Sequence, residues 1–185
     1  MNDFSKRWAI LQNHTNKRVL EGSFRFWVYS ALGFVLERVI NGIAYGTWLD
    51  NSVLLGPYQP MYAVGMMAAD SAVRQLTHGH TRWMYQVGLV YTVTAVSEWL
   101  SGQGYFYLTG RHLWDYRSTF AVCTGPYTCV VPTFLFALAA LGFAYGLAPR
   151  LRRWTVTVPL GLKVCVLSLF VMDVLVTYGR LYAAR

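Results

Sequence analysis

The sequence predicts an all-α fold: a polytopic transmembrane helix bundle of about five spans, a helix needing roughly 20 residues to cross the hydrocarbon core. Three observations carry this reading. Hydrophobic residues make up 55% of the 185-residue chain and charged residues 13%, about half the roughly 25% typical of soluble domains. Aromatic residues reach 16%, with 7 Trp and 13 Tyr, side chains that collect where membrane meets water. The apolar residues also fall into stretches of spanning length, which leaves little room for a separate soluble domain. The expected organisation is a cytoplasmic or interfacial segment over residues 1–23 and a transmembrane helical domain over 24–185.

Residues 4–20 fit an interfacial helix, with Phe4, Trp8 and Leu11 on one face and Lys6, Arg7 and Lys17 elsewhere; the alternative is a frayed polar tail. The polar first 23 residues give no cleavable signal peptide, so the first span is expected to direct insertion itself. That span is residues 24–46. The second, 59–77, is the weakest because it carries Asp70 and Arg74. The third is 84–108. The fourth, 127–148, is uncharged and is expected to face lipid. The fifth is 156–179. Pro132 and Pro159 fall near helix starts, where a missing N–H does little harm.

The formal net charge is +8. Its basic residues lie beside apolar runs, the pattern of the positive-inside rule and not of a nucleic-acid-binding ribbon, so no nucleic-acid partner is expected. With the N-terminus inside, the inner segments hold Lys6, Arg7, Lys17, Arg18, Arg25, Arg74, Arg82, Arg150, Arg152 and Arg153. The outer ones hold Arg111, Arg117, Arg180 and Arg185. This asymmetry predicts a cytoplasmic N-terminus and an outer C-terminus. A re-entrant second segment would invert every later helix.

The chain carries a repeated order of features. Tyr29, Glu37, Gly56-Pro57-Tyr58 and Pro60 are followed later by Tyr91, Glu98, Gly125-Pro126-Tyr127 and Pro132. Two matched helix pairs, both starting inside, would be parallel repeats completed by a fifth helix. The Gly-Pro-Tyr triplets read as turns leading into helices, with Gly allowing the tight entry and Pro presetting the first helical dihedral.

Charged groups in apolar spans are the candidates for chemistry, because each costs about 2.5–3.5 kcal/mol at the bilayer centre even on a lenient scale. They are Glu37, Arg38, Asp70, Arg74, Glu98, Lys163 and Asp173. Asp70 and Arg74 are spaced for a structural ion pair on one helix face. Glu37 and Glu98 occupy equivalent places in the repeat, toward the predicted outer side. They are expected to converge on an outward cavity as a cation or amine site, a proton relay or an acid–base pair. The bland reading is that each accepts hydrogen bonds and locks the helices. The loop Gly110-Arg111-His112-Leu113-Trp114-Asp115-Tyr116-Arg117 suits an aromatic-walled entrance, or an interfacial anchor. The candidate binding residues are therefore Glu37, Glu98, Arg111, Trp114, Asp115 and Tyr116, with the triplet tyrosines Tyr58 and Tyr127.

No metal site or cofactor is expected. His78 and His80 lack further ligands nearby. Cys123, Cys129 and Cys165 form no CxxC, have no His at ligand spacing, and read as small apolar filler. No nucleotide-binding or nucleophile motif occurs.

Phe26-Trp27-Val28-Tyr29-Ser30, Gly33 and Glu37, then Leu55-Gly56-Pro57-Tyr58, Pro60, Tyr62 and Gly65, then Glu98, Gly102 and Trp114-Asp115-Tyr116 resemble a family of small bacterial membrane proteins. It is labelled putative ABC-transporter type IV, or CmpB-like permease. The resemblance covers roughly residues 24–145. It implies a multi-pass bacterial inner-membrane protein with a transport label and no defined substrate. Members carry an Asn-x-x-Gly-like element after Trp-Asp-Tyr; here Ala121–Gly125 has no Asn. The leading expectation is a transporter or permease-like solute-binding protein, its partners the lipid bilayer and a small solute or cation, with a homo-oligomer or partner membrane subunit also allowed. The rivals are an intramembrane enzyme acting on a lipid or lipid-linked substrate, with Glu98 or Asp115 as acid or base and Arg111 as anion clamp, and a non-catalytic scaffold.

Overall fold

A computed structural model describes residues 3–46, 48, 52–75 and 82–183, with the backbone alone at 3–15, 44 and 45. Every regular element among the described residues is helical. They are α1 (Asp3–Tyr45), α2 (Pro60–Gln75), α3 (Arg82–Thr109), α4 (Val130–Gly146), α5 (Ala148–Thr157) and α6 (Leu160–Ala183), with a short 3-10 turn at Tyr116–Ser118. The predicted interfacial helix is continuous with the first span. His78 and His80 lie outside the described residues.

Two helical segments, Asn16–Ile43 and Leu160–Ala183, are long and apolar enough to cross a membrane, and three if Val130–Gly146 and Ala148–Thr157 count as one bent span. The 58° bend between α4 and α5 is a feature the sequence reading did not contain. Pro149 at the start of α5 fits a helix beginning afresh after Leu147. Arg150, Arg152 and Arg153, expected in an inner segment between spans, lie on this short helix.

α2 packs against α1, α3 and α4. Its buried positions explain how one helix serves three neighbours: Ala63, Gly65, Met66, Ala69, Asp70 and Ala72 are mostly small, and small side chains let helix backbones approach closely. α4 answers with buried Ala137, Ala140 and Ala144. It is therefore not wholly lipid-facing as expected: that face packs against α2 and α3, while Phe134, Leu135 and Leu138 stay exposed. The aromatic Tyr29, fully buried, meets Phe143 edge-on at 4.8 Å.

Polar ties join the helices where water cannot. Asp70, 1% exposed, accepts a charge-assisted hydrogen bond from Arg152 on α5. Arg74, the partner expected from spacing, stands 3.7 Å from the same carboxylate and is half-exposed. Asp70 thus keeps the expected pair along α2 and adds a tie from α2 to α5. At the other end, Asp173 on α6 accepts from the backbone N–H groups of Leu55 and Gly56 at 3.0 and 2.7 Å and from Thr177 at 2.9 Å. It holds the first Gly-Pro-Tyr loop to the last helix.

The two triplets precede their helices instead of opening them: α2 starts at Pro60 and α4 at Val130. The second sits in a small clip. Cys123 and Cys129 are joined by a disulfide, flanked by Thr124 N–H to Thr128 C=O at 3.0 Å and Val130 N–H to Val122 C=O at 2.9 Å. These two cysteines are cross-linked, not apolar filler; Cys165 is free. Gly110, at φ +70°, ends α3 in the left-handed conformation with its N–H on the Phe106 carbonyl at 2.7 Å, a cap for which glycine is suited.

Removing one member of a buried ion pair strands the other. Asp70→Ala is expected to cost about 3 kcal/mol of stability, against less than about 1 kcal/mol for Arg74→Ala at its exposed position. Unfolding in mixed micelles measures both, and equal losses would refute the α2–α5 strut.

Candidate functional site

Glu98 lies on α3 and is fully buried. Thr133, three residues into α4, donates to its Oε2 at 2.6 Å, and Tyr116 from the α3–α4 loop donates to its Oε1 at 3.4 Å. A carboxylate in this position thus takes donors from two neighbouring elements, which is how an acidic group survives among apolar helices.

The loop bearing Tyr116 folds back over the end of α3. Tyr116 N–H bonds the Pro126 carbonyl at 2.8 Å. The Trp114 indole donates to the Tyr127 carbonyl at 3.2 Å, and the His112 ring nitrogen meets the Tyr127 hydroxyl at 2.7 Å. Tyr127, 1% exposed, is seated on Gly102, where any Cβ would collide with its ring. Gly102 lies one turn beyond Glu98, so the missing side chain brings the second triplet beside the carboxylate. Burial raises the Tyr127 hydroxyl above its ordinary value, which leaves it protonated at neutral pH.

Glu37 on α1 is half-buried and accepts from Gln59 at 2.5 Å. Gln59 follows the first triplet and immediately precedes α2. Tyr62, in the first turn of α2, packs edge-on against Phe136 at 5.2 Å. Glu98, Tyr62 and Thr94 line a cavity of about 380 Å³ whose other walls are apolar. The expected polar cavity is thus apolar apart from these three side chains, and Glu37 is not among its lining residues.

The remaining candidates separate. Tyr58 packs against Trp27 and edge-on against Phe170, and shares with Trp114 a second cavity of about 270 Å³ walled also by Tyr105 and Tyr178. Asp115 is taken up by Arg117. It accepts from the Arg117 backbone at 2.9 Å and its guanidinium at 3.0 and 2.6 Å. These hydrogen bonds hold its carboxyl down at about 2. Arg111 lines a third, polar recess with Tyr105, Tyr107 and Thr109. Of the proposed binding residues, Glu98, Trp114, Tyr116 and Tyr127 come together. The partners the sequence reading missed are Gln59, Tyr62, Thr94, His112 and Thr133; the place of Gln59 and Thr133 just after each triplet and its proline or before it was the available signal. Among the described residues no group of acidic, His and Cys side chains is placed to hold a metal ion.

A family model described as putative ABC-transporter type IV matches residues 24–178. The chain belongs to that family, and the match runs past residue 145 to take in most of α6 with Asp173. No curated protein and no solved structure matches it. Family and apolar helices together support a membrane protein of a family described as transporter-type.

Asp115 offers a pH test outside the helices. Its pKa is depressed, so the Arg117 contact is present above the ordinary carboxyl range near 4 and is lost as pH falls through about 2. Arg117→Gln should return the carboxyl toward about 4, read by carbon NMR of labelled aspartate; an unshifted titration would refute the contact.

Proposed function

We propose that this member of the putative ABC-transporter type IV family is a five-span, permease-like protein of the bacterial inner membrane that binds a small cationic solute at Glu98. The observation that carries the reading is the buried Glu98 carboxylate, which lines a cavity and at the same time accepts from Tyr116 of the α3–α4 loop. A carboxylate so placed can recognise a cation or amine, and its link to the loop gives the entrance a lever on the site. Tyr116 ties the α3–α4 loop to that carboxylate, Trp114 and Tyr127 pack beside it, Tyr58 shares a neighbouring cavity with Trp114, and Glu37 is a second acidic group held by Gln59. Asp115 and Arg111 shape the loop and do not touch the solute.

The five spans are α1, α2, α3, α4 and α6, with α5 lying at the inner surface by virtue of its arginines. Residues 1–23 form the cytoplasmic or interfacial segment and 24–185 the membrane domain. The parallel repeat is supported by a shared local chemistry. Glu37 and Glu98 each accept from a polar side chain next to the proline that follows their own Gly-Pro-Tyr triplet, Gln59 and Thr133. The orientation, N-terminus in and C-terminus out, gains support from the Cys123–Cys129 bridge, which falls in a loop that the basic residues assign to the outer, oxidising side.

In proteoliposomes, uptake of isotopically labelled methylamine is expected to fall at least tenfold in Glu98→Gln, a loss of about 1.4 kcal/mol or more, and by about threefold in Glu37→Gln, whose carboxylate is partly solvated. Wild-type uptake by both variants would remove the proposed site.

Orientation is read in intact cells of a Cys165→Ser variant. A membrane-impermeant maleimide should label Cys123 after reduction without permeabilisation; labelling only after lysis would invert the topology.

A further inference from the structure

The cavity at Glu98 is a groove along the side of the helix pack. α1 and α4 form its two walls, and α2 with one stretch of α3 forms its floor. Val35 and Val39 on α1 and Ala139 on α4 line it and are at the same time exposed. The groove therefore opens sideways, between two helices proposed to span, onto what would be lipid. At about 380 Å³ it lies within the range of small-molecule sites.

Its floor carries a second polar group. Thr94 is 8% exposed, lines the groove, and its hydroxyl has no hydrogen-bond partner. A helical threonine commonly satisfies that hydroxyl on the carbonyl one turn back, and this one does not. Against it stands Gly65, whose Cβ, were there one, would lie 3.2 Å from the Thr94 oxygen, so the glycine makes room for the hydroxyl between α2 and α3. Glu98 follows Thr94 by one turn on the same face. Thr133 and Tyr116 occupy one acceptor direction on each carboxylate oxygen, and a carboxylate offers about four. Acceptor capacity thus remains beside an unpaired hydroxyl at the bottom of an apolar trough.

We propose that this groove is a lateral binding site for a single-chain amphiphile with a primary amine head. The hydrocarbon tail lies between α1 and α4, and the ammonium donates to Glu98 and to the Thr94 oxygen. The assignment rests on the reading of Glu98 as the solute-binding carboxylate and names the class of solute. An ammonium has three donors and no acceptor, which matches two acceptors a helical turn apart, and its charge compensates a carboxylate removed from water. A fatty acid would set like charges together. A bare hydrocarbon would leave the hydroxyl unpaired.

The test uses the full chain in phosphatidylcholine nanodiscs and hexadecylamine bearing a photoreactive diazirine near the tail end. Crosslinks are expected to concentrate on the groove faces of α1 and α4 over the lipid-exposed face of α6, and to be competed by unlabelled hexadecylamine. Glu98→Gln and Thr94→Val should each reduce groove labelling at least fivefold. Ala139→Trp, a change on the exposed wall, should abolish it. Thr94→Val keeps the shape and removes an unpaired hydroxyl, so its unliganded melting temperature should hold or rise while labelling falls. Equal labelling by the matching diazirine hexadecanoic acid would mean that any lipid tail fills the groove and would overturn the proposal. Labelling indifferent to Ala139→Trp, or spread evenly over α6, would overturn it too. Methylamine uptake that depends on Glu98 without hexadecylamine labelling of the groove would overturn the lateral site alone. Indifference of both probes to Glu98→Gln would overturn this proposal and the solute-binding reading together.

Discussion

An acidic group within an apolar helix has to find its donors inside the protein, and in this chain that requirement organises the packing. Asp70 reaches from α2 to Arg152 on α5. Glu98 reaches from α3 to Thr133 on α4 and to the loop that closes over it. Asp173 reaches from α6 to the backbone of the α1–α2 connection, and Glu37 on α1 to Gln59 just before α2. Each carboxylate joins its own helix to a different element. Apolar contacts between helices gain little from leaving lipid, so polar links and close backbone approach bear much of the specificity in such proteins. The small residues of α2 supply the approach, and the carboxylates fix which neighbour goes where.

Much of this was legible in the chain. Composition and the long apolar stretches led to an all-helical protein, and the motif residues led to the family. Glu98 stood out because a carboxylate in an apolar run is costly, and Tyr127 because the triplet recurs. What escaped notice depended on distant partners. Four-residue spacing pointed from Asp70 to Arg74, and that pair is present, while a second and less exposed partner, Arg152, comes from a basic segment about eighty residues on. Cys123 and Cys129 gave no spacing signal, since a bridge across a tight clip is set by backbone pairing and not by a motif. The orphaned Thr94 hydroxyl could not be seen in advance: a threonine in a helix is ordinarily satisfied locally, and its place against Gly65 is set by the packing of α2 on α3.

The same comparison separates the candidate residues by what they do. Loop composition around Trp114 pointed to a cluster, and Trp114, Tyr116 and Tyr127 do lie together. Charge alone was a poor guide within that loop. Asp115 and Arg117 satisfy each other, and Arg111 faces a recess of its own. Geometry therefore moves weight from the exposed charges of the loop to its aromatic and hydroxyl groups, which connect inward.

The sulfur bridge of the α3–α4 connection has a mechanical corollary. Cys129 is the residue on which α4 begins, and its carbonyl receives the Thr133 N–H at 3.2 Å. Thr133 is the very residue whose hydroxyl grips Glu98. The covalent staple therefore fixes the rotational phase with which α4 enters, and a single helical turn transmits that phase from sulfur to carboxylate.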